Sequence, residues 1–209
     1  MPVFAIDHPL VQHHLTSLRD AATSPGEFRR CVTRLAQLLA VEATLDLPLA
    51  ATRVLTPICE TDAARVSARL GIIPILRAGL GMVDPVLHLL PDAEVWHLGL
   101  YRDETTLRPV EYYQKLPPGR PVDVAMVIDP MLATGGSAIA ALETLARWGV
   151  PQCKVLALIA APEGLRAIEK AHPNAQIYVC SIDERLNEHG YIVPGLGDAG
   201  DRTFNTLAR

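Results

Sequence analysis

Residues 124–137 have the sequence VAMVIDPMLATGGS, from Val124 to Ser137. An apolar run ends in an acid, Asp129, and a loop of small residues then leads into a helix-like segment, Ala138 to Trp148, with Gly149 as its stop. This order predicts a buried strand, a turn and a helix. Such a turn offers free backbone N–H groups and the positive end of a helix dipole, and its glycines let an anion approach closely. We therefore expect a phosphate site, with a plain strand-to-helix turn as the alternative.

The kind of phosphate site can be narrowed. No lysine follows Gly136, and the pattern G-x-x-x-x-G-K-[ST] is absent, which excludes a Walker-type nucleotide triphosphate loop. Thr134 and Ser137 add hydroxyl donors beside the two glycines. Asp129 closes the strand directly before the loop and can accept hydrogen bonds from sugar hydroxyls. The arrangement favours a ribose 5-phosphate.

Outside this segment, short apolar runs recur and are mostly followed by helix-length segments. The runs are Ile72 to Leu76, Val95 to Leu100, Val122 to Ile128, Val155 to Ala160 and Ile177 to Cys180. Apolar runs without polar interruptions are typical of strands covered on both faces. The pattern predicts an α/β protein with a mostly parallel sheet flanked by helices.

The first 48 residues predict helices. Ser24-Pro25-Gly26-Glu27 combines a capping residue, a proline suited to the first turn and a carboxylate three residues after the cap, so a long helix should follow up to the break at Asp46-Leu47-Pro48. A weaker pattern predicts an earlier helix from Pro9 to Ala21. Residues 50–70 allow two interpretations, a hairpin or a short helix that starts at Thr61-Asp62 and ends at Gly71.

Two arginines are candidates for binding an anionic substrate. Arg77 follows a predicted strand, at the end where open α/β sheets bind ligands. Arg102 lies in the polar stretch Leu100 to Pro109, which has the composition of a loop able to close over a charged substrate. The alternatives are a surface ion pair for Arg77 and a solvated loop for Arg102.

Composition restricts the possible partners. The chain has 209 residues and a net charge of -4, with no run of like charges built for nucleic acid or an anionic membrane. The four cysteines lack C-x-x-C spacing, and we expect free thiols. No signal peptide or membrane-spanning run appears. We expect a single cytoplasmic domain over residues 1–209, with an N-terminal helical part at about 1–48 and a C-terminal segment at about 186–209.

The motifs together resemble the uracil phosphoribosyltransferases. Five blocks in order carry the resemblance: Asp7 to Val11, Pro74 to Met82, Asp129 to Ser137, Ala160 to Gly164, and Asn187 to Arg202. The resemblance covers nearly the whole chain and implies the type I phosphoribosyltransferase fold with a small hood, which residues 186–209 would form. It also implies transfer of a 5-phosphoribosyl group from phosphoribosyl pyrophosphate (PRPP) to uracil, giving UMP and diphosphate.

The resemblance also assigns residues. Arg77, Arg102 and Asp198 are the expected catalytic residues. The expected PRPP contacts are Arg77, Arg102, Asp129, Pro130, Met131, Leu132, Ala133, Thr134, Gly135, Gly136, Ser137 and Asp198. The expected uracil contacts are Ile192, Gly197, Asp198 and Ala199. Asp198 has a second interpretation, as a polar residue that shapes a glycine-rich turn.

Mg2+ is the implied cofactor, and no residue is assigned as its ligand, because Pro130 follows Asp129 where type I transferases commonly carry a second acid. The general base for uracil N1 is not assigned. A homo-oligomer, a dimer or higher, is expected because the N-terminal apolar helices need a cover and the family assembles; part of the family is activated by GTP. An RNA-binding regulator on the same fold is the rival function, disfavoured by the acidic net charge.

Overall fold

A parallel sheet forms the centre of the computed structural model, which describes residues 1–102, 109–114, 116–117 and 119–206, with the backbone alone for 100–102 and 109–114. In chain order the elements are β1 (Val3–Ala5), α1 (Pro9–Arg19), α2 (Pro25–Ala43), β2 (Leu49–Leu55), β3 (Glu60–Val66), β4 (Leu70–Pro74), α3 (Leu80–Leu89), β5 (Glu94–Val95), β6 (Leu98–Arg102), β7 (Pro109–Gln114), β8 (Val124–Ile128), β9 (Met131–Leu132), α4 (Gly136–Trp148), β10 (Gln152–Ala160), α5 (Pro162–Ala171), β11 (Gln176–Ile182), β12 (Arg185–Leu186), β13 (Ile192–Val193) and α6 (Ala199–Phe204).

The sheet has the order β1-β11-β10-β8-β4-β5, with β9 added beside β10. Every strand pair in it is parallel, as the apolar runs predicted. The N-terminal strand β1 was not predicted, because its three residues carry too little pattern. The parallel arrangement brings the carboxyl ends of β4 and β8 to the same edge of the sheet.

Two apolar layers cover the sheet, one on each face. Successive side chains of a strand point to opposite faces. Ile72 and Met126 therefore belong to the layer shared with α1, α2, α3 and α6, whereas their neighbours Ile73 and Val127 face α4 and α5. This alternation inside wholly apolar strands is what burial on both faces requires.

Both N-terminal helices start at the predicted residues, the second at its predicted cap Ser24 and the first after a cap at His8 that was not predicted. Ser24 Oγ accepts the Glu27 amide at 3.3 Å, and His8 Nδ1 accepts the Leu10 amide at 3.1 Å. The predicted first helix ends at Arg19 rather than Ala21. The apolar stripes of both helices are buried within this one chain, for example at Val11, Leu18 and Phe28. The expectation that these helices need cover from a second copy was therefore wrong.

Residues 49–66 form an antiparallel hairpin, β2 with β3, that pairs Leu49 with Val66 and Leu55 with Glu60. The helix interpretation of this region was wrong, because Thr61 and Asp62 lie in a strand. Arg53 reaches across the pair to Glu60 and Asp62, and opposite charges in this position stabilise a hairpin.

One predicted strand was also wrong. The run from Val95 to Leu100 was expected to be a single strand, but it divides into β5, at the sheet edge, and β6, which pairs with β7 in a separate antiparallel hairpin. Trp96 and His97 separate the two strands: the Trp96 indole donates to Glu94 at 3.1 Å, and the Trp96 amide donates to the Ile72 carbonyl. Hydropathy alone does not reveal that the first part of this run pairs with β4 and the second part with β7.

Candidate functional site

The proposed phosphate loop follows β8 and lines a cavity of ≈ 150 Å³. Asp129, residues 131–138, Val155 and Ala157 form its walls. Gly135 has φ 82° and precedes the first turn of α4, which no side chain of the described residues caps. The helix therefore presents uncapped N–H groups at its positive end, as a phosphate site needs. The loop geometry agrees with the expectation from the sequence.

Pro130 is the exception among the predicted loop residues. Its side chain is buried and does not line the cavity, and its carbonyl accepts the amides of Leu158 and Ile159, both at 3.1 Å. Pro130 therefore anchors the loop to β10 rather than facing the cavity. Met131 and Leu132 continue the anchor as β9.

The carboxylate of Asp129 lies at the start of this loop, where its Oδ1 accepts the Met131 amide at 3.3 Å. Burial raises the pKa of Asp129 to about 7, and the negative charge of Asp198 raises it further than burial alone would. The hydrogen bond from Met131 acts in the opposite direction. Two acids separated by 69 positions in the chain are thus brought close enough to repel one another.

Arg77 lies in the loop after β4, and the guanidinium contacts α6. Its Nη2 is 3.2 Å from Asp201 Oδ1, and its Nη1 is 3.5 Å from Thr206 Oγ1. The side chain is still 60% exposed. The ion pair that was the alternative interpretation of Arg77 is thus present, and it holds the guanidinium beside the Asp198 turn rather than away from the site.

Gly79 explains how the Arg77 loop comes so near to Asp129. A Cβ at Gly79 would lie 2.5 Å from the carbonyl oxygen of Ile128 and 2.7 Å from that of Ile75. Only glycine permits this approach of two backbones. The Ile75 amide also donates to the Ile128 carbonyl at 3.0 Å, so the loops after β4 and β8 are joined directly.

Arg102 is the last residue of β6, and its side chain lies outside the described residues, as do residues 103–108 of the predicted loop. The backbone of β6 pairs with β7, which places Arg102 opposite Pro109. Leu100 to Arg102 are thus strand rather than loop.

The segment expected to bind uracil divides into buried and exposed parts. Ile192 and Ala199 have buried side chains within the core layer shared with α1 and α2. Gly197, with φ 79°, and Asp198 are exposed. Ile192 and Ala199 thus place their side chains in the core, and Gly197 and Asp198 form the surface of the segment.

Asp198 caps α6, since its Oδ1 accepts the Asp201 amide at 2.8 Å. The interpretation of Asp198 as a turn-shaping residue is therefore supported. Its charge also reaches Asp129, which places the carboxylate on the side of the proposed donor site. The two interpretations describe one residue with two roles.

Glu163 and Gly164, to which the sequence analysis gave no individual role, support the site. A Cβ at Gly164, in the first turn of α5, would lie 2.4 Å from the Ala133 carbonyl oxygen, and one at Gly135 would lie 2.9 Å from the Gly164 carbonyl oxygen. The neighbouring Glu163 accepts the Leu186 amide at 3.2 Å. The block Ala160 to Gly164 was the available signal, but spacing alone does not reveal what a glycine touches.

No group of three or more His, Cys, Asp or Glu side chains in the described residues could hold a metal ion by itself. A Mg2+ ion that arrives with a diphosphate needs only one or two protein carboxylates, because phosphate oxygens and water complete its shell. Asp198 suits this requirement, since Oδ1 alone of its two oxygens is hydrogen-bonded within the described part of the chain. The donor set fits a metal carried by the substrate.

Comparisons with known proteins agree with this geometry. The family model described as uracil phosphoribosyltransferase matches residues 5–206. A relative of that name from Roseiflexus castenholzii is 58% identical over 204 residues, 98% of each chain. One from Geobacillus kaustophilus is 55% identical over 205 residues, again 98% of each.

Solved structures show the same fold. The AQ2163 protein from Aquifex aeolicus superposes with a TM-score of 0.93 at 36% identity, covering 99% of this chain and 100% of that one. A hypoxanthine phosphoribosyltransferase from Staphylococcus aureus shares the fold alone, with a TM-score of 0.53 at 14% identity over 86% of this chain and 84% of that one.

Proposed function

This chain belongs to the uracil phosphoribosyltransferase family, and we propose that its site at the ends of β4 and β8 transfers the 5-phosphoribosyl group of PRPP to uracil. The products are UMP and diphosphate, so the reaction salvages a free pyrimidine base. The observation that carries the proposed site is that three separate segments, around Arg77, Asp129 and Asp198, meet at one edge of the sheet.

We propose that the loop after β8 holds the ribose 5-phosphate. The uncapped N–H groups of α4, the hydroxyls of Thr134 and Ser137, and the backbone at Gly135 and Gly136 would bind phosphate oxygens. Asp129 would accept hydrogen bonds from the ribose hydroxyls, which requires the ionised carboxylate. Pro130 supports the loop through its carbonyl instead of binding substrate.

Breaking the bond between ribose C1 and the diphosphate leaves positive charge on the sugar and negative charge on the leaving group. Arg77 would bind the diphosphate, and it would either keep or give up its ion pair with Asp201 when it does so. Arg102 is proposed as the second cation. Removing one preorganised donor of this type typically costs ~2.7–4 kcal/mol in the transition state. Asp198 would face the positively charged sugar and the Mg2+ of the bound donor.

Mg2+, when bound with PRPP, supplies charge neutralisation at the diphosphate. Asp198, through its second carboxylate oxygen and water, is the residue we propose to meet it. The amides and carbonyls from Gly197 to Ala199 would read the O4 and N3–H edge of uracil. Cytosine would place a donor against a donor there, and an unpaired buried polar group is costly.

We also propose that the chain works as a homo-oligomer. The β2–β3 hairpin carries exposed apolar side chains, among them Leu55, 79% exposed, and Ile58, 93% exposed. Such a surface is typical of a subunit contact. Adding GTP to the assay of UMP formation tests whether GTP activates the enzyme.

None of the helices in the described part of the chain is long and apolar enough to cross a membrane. Cys31, Cys59, Cys153 and Cys180 all have free thiols, as expected from their spacing. Free thiols are typical of a reducing compartment, and we propose the cytoplasm as the location.

The experiment is a product assay by mass detection with PRPP and Mg2+, offering uracil, cytosine, hypoxanthine and adenine separately. UMP should form from uracil, with no product from cytosine. A nucleotide from hypoxanthine or adenine, with none from uracil, would contradict the assignment. Arg77→Ala should lower turnover by roughly 100-fold to 1,000-fold. A filter-binding test with structured RNA, run in parallel, tests the rival function and should show no tight complex.

A further inference from the structure

A partly buried ion pair lies next to the segment proposed to bind uracil. Arg19, the last residue of α1, donates Nη1 to Asp183 Oδ2 at 2.7 Å and Nη2 to Asp183 Oδ1 at 2.5 Å. The Asp183 side chain is 1% exposed, and that of Arg19 is 25% exposed. Ser181 completes the group, with its hydroxyl 3.2 Å from Arg19 Nη2 and 3.1 Å from Asp183 Oδ1.

The pair holds the backbone of Gly195 on both sides. The Gly195 amide donates to Asp183 Oδ2 at 2.9 Å, and the Gly195 carbonyl accepts from Arg19 Nη1 at 2.8 Å. Gly195 itself has φ 67°, and a Cβ there would lie 2.1 Å from the Ile192 carbonyl oxygen. The conformation of this residue is therefore set by one carboxylate and one guanidinium.

A second arginine holds the next peptide. Arg202 Nη1 donates to the Leu196 carbonyl at 2.8 Å and to the Leu18 carbonyl at 2.6 Å. Leu18 and Arg19 are adjacent in α1, so both contacts tie the same helix end to the same loop. Gly197 to Ala199 begin one residue later.

Burying such a pair is not explained by stability alone. Removing the Asp183 carboxylate from water costs free energy that its attraction to the partly exposed Arg19 largely offsets, so the net contribution of the pair to stability is small. What a bidentate pair supplies is geometry, because the planar guanidinium and carboxylate accept few arrangements. A recognition surface made of backbone groups needs this support, since it has no side chain to adjust.

We propose that Arg19 and Asp183 are positioning residues for uracil: they set the orientation of the Gly197 to Ala199 backbone and thereby the affinity for the base. The proposal rests on the proposed uracil segment. It assigns no contact between either side chain and substrate. The phosphate loop after β8 is anchored separately through Pro130 and Gly164, and Asp198 is the one proposed PRPP contact within the segment that the pair orients. Loss of the pair should therefore raise KM for uracil more than KM for PRPP.

The test is steady-state kinetics of Arg19→Lys, which keeps the charge but loses the two-pronged contact. Because hydrogen bonds to charged groups contribute more free energy than neutral ones, we expect KM for uracil to rise by about 10-fold or more. KM for PRPP should change by less than about 3-fold. Ser181→Ala, a milder change that leaves the ion pair in place, should raise KM for uracil by about 2-fold to 3-fold. Partial unfolding lowers the active fraction but does not alter KM, so this split separates positioning from stability.

The matched control is Arg29→Lys. Arg29 also joins an N-terminal helix to a C-terminal main-chain carbonyl, that of Thr203 at 2.9 Å, and this bond does not involve the backbone of residues 195–199. It should leave both KM values within about 2-fold of wild type. Equal changes in the two KM values for Arg19→Lys and Ser181→Ala, or a fall in turnover alone, would overturn the proposal. UMP formation by the wild type is a separate result, so failure here would not be confused with failure of the activity.

Discussion

Asp129 carries the strongest electrostatic signature of the site. Its pKa rises from an ordinary 3.8 to about 7 because the carboxyl is buried and Asp198 is near. The folded value lies above the unfolded one, so the ionised carboxyl destabilises the folded state. This cost is absent below about pH 4, grows as the pH rises, and is complete above about pH 7.

Asp129→Asn should therefore raise thermal stability and lower activity. The variant removes a buried charge, so its Tm should exceed that of wild type at pH 8 and match it near pH 4. Its activity relative to wild type should fall sharply at pH 8, where the wild-type carboxyl is ionised, because a neutral amide is a weaker acceptor for ribose hydroxyls. Thermal melts at the two pH values, with UMP assays beside them, provide the measurement. A Tm difference that does not change with pH would contradict the burial argument.

Asp198→Asn separates the two roles of that residue. Asparagine is as good an N-cap as aspartate, so α6 and the Tm should be nearly unchanged. The lost charge should lower kcat/KM by at least ~10-fold, about 1.4 kcal/mol. It should also lower the pKa of Asp129, and the acid limb of the pH profile for kcat/KM should move to lower pH. Kinetics equal to wild type would show that Asp198 only caps α6 and has no electrostatic role in catalysis.

At the scale of elements, the contact between α5 and the phosphate loop predicts a backbone effect. Gly164→Ala places a methyl group against the Ala133 carbonyl oxygen, 2.4 Å away, so the loop must move. We expect KM for PRPP to rise by about 10-fold, since small displacements of a binding loop are costly. KM for uracil should change much less.

Gly26→Ala is the control for this helix position. Gly26 lies in the first turn of α2, and a Cβ there meets nothing within 4 Å. The variant should keep wild-type kinetics and gain up to roughly 1 kcal/mol of stability, because alanine loses less entropy in a helix. Unchanged PRPP binding in Gly164→Ala would show that α5 does not support the loop.

For the whole molecule, the exposed hairpin predicts where copies of the chain meet. Leu55→Asp combined with Ile58→Asp should lower the sedimentation mass toward 22.7 kDa at micromolar concentration, whereas wild type should sediment as a larger species. Leu10→Asp, on the exposed face of α1, should leave the mass unchanged. A wild-type species of 22.7 kDa with full activity would contradict the proposed assembly.

Much of the architecture was determined locally. The capping group at Ser24, the apolar runs and the stop at Gly149 each depend on neighbours in the chain, and the structure confirms the elements that they predict. The strand order, β5 and β6 as separate strands, and the hairpin at residues 49–66 depend on pairing between distant segments, where composition was ambiguous. The division into residues 1–48, the central part and 186–209 stays a prediction.

The same distinction applies to the site. The sequence by itself determined the strand, turn and helix around residues 124–148 and the family, because these three elements are contiguous and the five blocks follow in order. Phosphate binding by this loop stays a prediction. Only the tertiary structure decided that Pro130 faces β10, that Arg77 is paired with Asp201, and that Arg19 and Asp183 hold Gly195. These contacts join residues 12 to 176 positions apart. The physical reason is that a hydrogen bond or ion pair depends on distance in space, which spacing along the chain does not contain.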